Sequence, residues 1–262
     1  MALKKVLDVS QWNGSLNWKK VASNVDAAII RVGYRGYGSS GTLATDPKFK
    51  VNIEDAIAAG VPVGVYWCSQ AISEAEAKAE AEYCYKLIKN YKITYPVYLD
   101  SENMGPNGSG RGDQITKERR TQYGMTFLKA MQNYGYTVGL YCSESWYADK
   151  INGIAFDNAG FEIWMAKYST SKPKYRCDAW QYTSTARVFG ADGNVDLSHF
   201  YKDYGAKTTT AGDAIDTTIQ NAIKDIGLNR PDMWESVLRG KTVATAANVK
   251  ALMDKYHDAM VK

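Results

Sequence analysis

The sequence predicts an α/β barrel that turns irregular in its last third and is followed by a small helical module. Three observations lead there. Short apolar runs rich in β-branched and aromatic residues recur along most of the chain. Capped amphipathic stretches alternate with them in the first half. After the fifth run the spacing contracts.

The runs cover residues 6–8, 27–32, 63–67, 97–100, 138–142, 163–166 and 178–182, with a weaker one around Val195 and Asp196. Near-continuous apolar character suits strands buried on both faces. The stretch 46–59 opens with Asp46-Pro47, a cap followed by proline at the first helical position, and closes on Gly60. The stretch 73–90 begins with Ser73 and Glu76 at capping-box spacing, and its alanines with Cys84, Leu87 and Ile88 form an inward stripe. The stretch 116–133 places Met125, Leu128 and Met131 on one side and stops at Gly135. Strand–helix alternation means a parallel sheet with right-handed crossovers, and eight runs suggest closure. Only about ten residues separate the sixth run from the seventh, too few for a full crossover helix.

From residue 203 to 212 the composition becomes small, polar and aperiodic. The domain reading is therefore a barrel over 1–205, a linker over 206–212 and a helical module over 213–262. In the module Ile215, Ile219, Ala222, Ile223 and Ile226 share one helical face, and Val249, Leu252, Met253, Tyr256 and Met260 share another. Three short helices make a thin core. From Lys207 onward the charges nearly balance, so charge names no partner for it.

Composition narrows the function. The 262 residues are 45% hydrophobic and 23% charged, an ordinary globular balance. A net charge of +4 is too small to imply nucleic acid. Nineteen tyrosines and seven tryptophans are amphipathic rings suited to stacking on sugars as well as to core packing. Cys68, Cys84, Cys142 and Cys177 lack Cys-x-x-Cys spacing, so reduced thiols are expected and neither metal nor cofactor is called for. The start of the chain has no long apolar leader, and no stretch approaches the roughly 20 apolar residues of a membrane span. The expectation is cytoplasmic synthesis with another route to any target outside.

The chemistry centres on Pro96-Val-Tyr-Leu-Asp-Ser-Glu102. Strand side chains alternate, so Tyr98, Asp100 and Glu102 point one way, about 7 Å apart at each step. In parallel barrels the carboxyl-terminal strand ends carry the active site. Two adjacent carboxylates there cannot both ionise freely, so one keeps its proton to higher pH. A retained proton beside a fixed anion is the arrangement that cleaves glycosides. A metal pair, a salt bridge to Arg31 or Lys167, or a solvated strand end would use the same residues. Asp8 ends the first run and Asp196 the last, so four acids would meet at one mouth. Tyr66, Tyr141, Trp164, Trp180, Gln181 and Tyr182 lie at or near strand ends as candidate walls of a polysaccharide cleft.

Asp8-Val-Ser-Gln-Trp-Asn-Gly14, Asn17-Trp-Lys-Lys and Ala28-Ile-Ile-Arg-Val-Gly-Tyr34 resemble the opening of glycoside hydrolase family 25 lysozymes. Val61-Pro-Val-Gly-Val-Tyr-Trp67, Tyr98-Leu-Asp-Ser-Glu102, Leu140-Tyr141, Trp164-Met-Ala, Trp180-Gln-Tyr182 and Val195-Asp196 resemble later motifs of that family, in its order. The resemblance covers about residues 5–204. It implies an irregular TIM-like (β/α)5(β)3 barrel. It also implies N-acetylmuramidase activity on peptidoglycan, cutting the β-1,4 bond between N-acetylmuramic acid and N-acetylglucosamine. It casts Glu102 as general acid, Asp100 as the residue orienting or stabilising the 2-acetamido group, and Asp8 and Asp196 as the remaining acidic pair. Tyr34, Tyr66, Tyr141, Trp164, Trp180 and Gln181 become the candidate substrate contacts. The chain departs from the family at Trp67-Cys68, where histidine is frequent, and in the loop from Met104 to Gly112.

Two other classes compete. A catalytically silent carbohydrate-binding barrel would be expected to lose one of the four acids, and all are present. A metabolic barrel would want a late phosphate loop or an isolated buried lysine, for which Lys167 is the candidate. Gly33-Tyr-Arg-Gly36-Tyr-Gly38 lacks the Lys-Ser/Thr helix of a phosphate loop and reads as a strand-end loop. Arg111-Gly-Asp113 reads as a coincidental tripeptide in a turn. His199 and His257 have no partner at metal spacing. A phage endolysin released through membrane holes fits the leaderless start, with the 213–262 module binding wall, mediating homo-oligomerisation or packing on the barrel.

Overall fold

The computed structural model describes residues 3–205; the linker and helical module expected beyond them lie outside the described residues. In chain order the described elements are β1 (Lys4–Val9), α1 (Trp18–Val21), β2 (Ala27–Arg35), β3 (Leu43–Thr45), α2 (Phe49–Ala58), β4 (Val63–Cys68), α3 (Glu74–Ile88) and β5 (Val97–Asp100). There follow α4 (Lys117–Asn133), β6 (Val138–Ser143), α5 (Glu144–Asp149), α6 (Gly153–Asn158), β7 (Glu162–Ala166), β8 (Ala179–Ala186) and β9 (Val195–Phe200).

The ring runs β1, β2, β4, β5, β6, β7, β8 with every neighbouring pair parallel. Strand β9 closes it, antiparallel to both β8 and β1. The short connection before β9 cannot carry the chain back to the far end of the barrel, so that strand must reverse. Asp196 therefore sits at the start of its strand, not at its end, and the reversal is what brings it to the mouth. Strand β3 is an unforeseen arm that pairs antiparallel with the end of β2 and stands outside the ring. The Gly33–Gly38 motif is the end of β2 and the turn of this hairpin, closed by the Gly36 amide on the Thr42 carbonyl.

Alternation splits the strands into two shells. Outward residues such as Ile30, Val65, Val97, Leu99, Leu140 and Ile163 form one core with Ile53 of α2, Cys84 and Ile88 of α3, and Phe127, Leu128 and Met131 of α4. Inward residues form a second core of Val6, Ile29, Tyr98, Tyr141, Trp164, Ala179 and Phe200. Large rings fill the barrel because glycine faces them. A Cβ on Gly139 would lie 2.5 Å from the Tyr98 ring and 2.6 Å from the Glu162 carbonyl oxygen.

The helix starts follow their caps, with two shifts. The Ser73 hydroxyl accepts from the Glu76 amide at 3.2 Å, while the Glu76 carboxylate reaches past Ser73 to the Ile72 amide at 2.9 Å. Helix α2 begins at Phe49 rather than beside Pro47. Asp46 turns the Lys48 amide at 2.8 Å but also accepts from the Gln11 amide at 3.0 Å and from Arg31 Nε at 2.6 Å. It is a clamp between three segments rather than a simple cap. No helix among the described residues is long and apolar enough to cross a membrane. All four cysteines are free thiols.

Gly139→Ala should lower unfolding stability by about 1–3 kcal/mol through overpacking against Tyr98. Urea titration followed by tryptophan fluorescence measures it; an unchanged midpoint would contradict the filled interior.

Candidate active site

Three strands deliver four carboxylates to one mouth. Asp8 near the end of β1 lies directly across from Asp196 at the start of β9. Asp100 ends β5, beside Cys68 of β4 and Tyr141 of β6. Glu102 follows two residues later. Asp100 is 3% exposed and Asp8 6%. Asp196 is half-buried and Glu102 stands open at the rim.

Gln181 of β8 holds the first pair in place. Its amide nitrogen donates to both Asp8 oxygens, at 3.0 and 3.2 Å, and to Asp196 Oδ2 at 3.4 Å. Its amide oxygen accepts from the Tyr141 hydroxyl at 2.8 Å and the Tyr168 hydroxyl at 3.1 Å. Two hydroxyl donors on one side and two carboxylates on the other fix which way the amide points. Cys68 Sγ donates to Asp100 Oδ2 at 3.0 Å.

The cations that might neutralise the acids are engaged elsewhere. Arg31 pairs with Asp46 at 2.6 Å, and Lys167 pairs with Glu144 at 3.3 Å. Among the described residues no ion pair reaches Asp8, Asp100, Glu102 or Asp196, and no group of three His, Cys, Asp or Glu side chains is placed to hold a metal. Lys167 is thus neither isolated nor deeply buried.

Every acid in the mouth is pushed upward. Burial and then the Asp196 charge raise Asp8 well above the carboxylate range, against the Gln181 hydrogen bond. Burial and then Glu102 raise Asp100 in the same way, against Cys68 and Arg31. Burial and then Asp196 push Glu102 up to about 7, with Arg31 opposing. Burial pushes Asp196 up to about 6, against its hydrogen bond with Asp8. Glu102 touches solvent, so its desolvation comes from protein crowding it from below; a ligand filling the mouth would remove more water and act in the same direction. Burial raises Asp100 as it raises Glu102, and of Glu102 and Asp196 it is Asp196 that loses its proton at the lower pH.

The candidate contacts divide. Tyr34, Tyr66 and Tyr141 reach the mouth. A bulge in β2 between Arg31 and Gly33 pairs Arg31 with Tyr66 and Tyr34 with Cys68, so both β2 residues face inward and the Arg31 guanidinium lies 5.5 Å from the Tyr34 ring centre. Gln181 is 1% exposed with its hydrogen bonds filled, so it positions the acids instead of meeting a ligand. Trp164 is 1% exposed and lies beneath the site, donating to Ser198 Oγ at 2.9 Å and packing on Tyr98 and Tyr141. Trp180 neighbours inward-facing Gln181 and so points outward, donating to the Lys167 carbonyl and packing on Tyr182 and His199. Alternation alone signals that Trp180 and Gln181 cannot share a face.

Cys68 and Tyr168 belong to the site and escape the motif reading, and Arg31 stands beside the acids while pairing with Asp46. Tyr168 lies past the end of β7, where no strand period places it. It lines an open groove of about 770 Å³ with Glu102, Tyr141, Ser143, Glu144 and Lys167. A raised acid at the end of an aromatic groove can donate a proton to a ligand oxygen and face developing positive charge with carboxylates.

The family description "Glycosyl hydrolases family 25" matches residues 7–191. Lysozyme M1 of Streptomyces globisporus is 28% identical over 206 residues, covering 74% of this chain and 66% of that protein. The structure of the modular autolysin LytC of Streptococcus pneumoniae, in complex with a synthetic peptidoglycan ligand, is similar with a TM-score of 0.66. It is 30% identical, covering 76% of this chain and 47% of that one. A bacterial lysozyme from Streptomyces coelicolor superposes with a TM-score of 0.66 at 25% identity, covering 82% of this chain and 99% of that one. The chain thus spans just under two thirds of Lysozyme M1 and about half of LytC.

A carboxyl group raised by folding is stabilising below its unfolded value and loses that contribution as pH rises through its folded value. For Glu102 the loss falls between about 4.5 and about 7. Glu102→Gln should therefore raise the melting temperature relative to wild type at pH 8 and not at pH 4. An equal effect at both, by scanning calorimetry, would contradict the raised acid.

Proposed function

Because the chain belongs to glycosyl hydrolases family 25, we propose that it is a lysozyme that cleaves the β-1,4 bond between N-acetylmuramic acid and N-acetylglucosamine in bacterial peptidoglycan. The observation that carries this reading is Glu102 pushed up to about 7 at the rim of a mouth holding three further carboxylates.

The bond from the anomeric carbon to the leaving oxygen breaks as Glu102 gives that oxygen its proton, since a sugar alkoxide leaves poorly. The anomeric carbon becomes cation-like and draws on the negative charge of the mouth. Asp100 orients the 2-acetamido group, whose oxygen covers the anomeric carbon in a substrate-assisted step. Water then adds at that carbon and its proton returns to Glu102. Asp196 supplies the field, held beside Asp8 by Gln181. Tyr34, Tyr66, Tyr141 and Tyr168 form the sugar-facing walls.

The acid must keep its proton while Asp196 has lost its own. Hydrolysis of soluble glycan fragments should therefore peak between about 6 and about 7, falling above as Glu102 ionises and below as Asp196 protonates. Glu102→Gln should lower the rate by roughly 10²-fold or more, and Asp100→Asn should cripple turnover with the fold intact. Mass spectrometry of products from purified walls decides the bond. Reducing-end muramic acid supports the proposal; reducing-end glucosamine, free peptide or no product refutes it. A binding barrel without turnover is the alternative, and retention on walls without products would favour it.

The finer reading is a phage endolysin, made inside the cell and released through membrane holes, with residues 213–262 binding wall or joining copies of the chain. Lysis on expression with a hole-forming protein, and none without it, tests the release. Wall sedimentation and light scattering of the full chain against one ending at residue 212 test the module.

A further inference from the structure

The loop leaving Glu102 is built around one carboxylate. Asp113 accepts from the amides of Met104 at 3.2 Å, Gly105 at 3.3 Å and Gly110 at 2.9 Å, and from Gln70 Nε2 at 2.9 Å. Gln70 Oε1 in turn accepts from the Gly112 amide at 2.7 Å. The glycines are steric requirements of this wrap. A Cβ on Gly110 would lie 2.6 Å from Asp113 Oδ2, and one on Gly105 would lie 2.3 Å from the Gly110 nitrogen. Arg111 and Asp113 both turn inward, Arg111 onto Glu76 at 2.9 Å, so the tripeptide they frame is structural.

The loop's anchors also reach the acid. Gln70, Gly112, Ser69 and Arg120 line one small pocket with Glu102. Met104, tied to Asp113, is two residues from Glu102. We propose that Asp113 is a positioning residue for Glu102: it folds the loop that leaves the acid and turns its own negative charge toward it. The inference rests on the proposed hydrolase reading.

Asp113 is one of several charges around Glu102. Asp196 from β9 favours the protonated acid and Arg31 from β2 opposes, while Glu102 itself raises its neighbours Asp8 of β1 and Asp100 of β5. Cys68, Tyr141 and Tyr168 face the same mouth as neutral groups, and Cys142 lies behind it on the outer face of β6. On its other side Asp113 faces Arg120 of α4, which donates to the Gly112 and Asp113 carbonyls.

The test is the pH profile of kcat on soluble glycan fragments. Asp113→Asn removes the charge and part of the wrap. It should move the alkaline limb down by about 0.5 pH unit and lower kcat about tenfold, with KM within about twofold. Gln70→Met loosens the same loop but leaves the charge, so it should lower kcat without moving the limb. Gly110→Ala, which displaces the carboxylate without neutralising it, reads the same point if Asp113→Asn fails to fold. A folded Asp113→Asn enzyme with the wild-type limb and kcat overturns the proposal, as does a Gln70→Met limb shift equal to that of Asp113→Asn. An inactive wild type would instead remove the hydrolase reading.

Discussion

Four carboxylates meet at the open end of a closed barrel with no cation paired to any of them among the described residues, and the site follows from that constraint. Mutual repulsion and poor solvation make full ionisation costly. The molecule holds the group together with neutral donors: the Gln181 amide on Asp8 and the Cys68 thiol on Asp100. Neutral donors fix geometry without cancelling charge. A lysine or arginine in their place would make each acid an ordinary anion and remove the proton donor. Arg31 lies close enough to moderate the site, yet Asp46 holds its Nε at 2.6 Å and keeps it from neutralising the mouth.

The rigidity behind this comes from the barrel interior. Trp164, Tyr98, Phe200 and Tyr141 pack as one aromatic layer under the acids, and Gly139 faces that layer where any side chain would collide with Tyr98. Outside, α2, α3 and α4 press their apolar faces on the alternate strand residues. Each strand end is thus pinned from both sides, and the acids inherit that fixity. The loops carry the remaining freedom, and Asp113 removes some of it next to Glu102.

Much of this was legible in the residues. Apolar runs located the strands to within a few positions, because strands buried on both faces leave an unbroken hydrophobic signature. Ser73 and Thr116 marked helix starts through the side-chain acceptors they supply. The acids were legible because charge at a buried strand end is rare. Other features depend on pairing, which sequence does not display. The reversal of β9, the β3 arm and the bulge that turns Tyr34 inward are set by neighbours distant in the chain. Trp164 and Trp180 carried aromatic character without direction, and only the register shows one beneath the site and the other outside it. Asp113 gave no signal because its partners are three backbone amides and the side chain of Gln70, far away in the sequence.

The central claim is that folding keeps a proton on Glu102 near neutral pH. The direct measurement is a carbon-13 NMR titration of the Glu102 side-chain carboxyl in the full chain, assigned by its loss in Glu102→Gln. The account requires a midpoint near 7. A midpoint at the ordinary glutamate value, about 4.5, would contradict it.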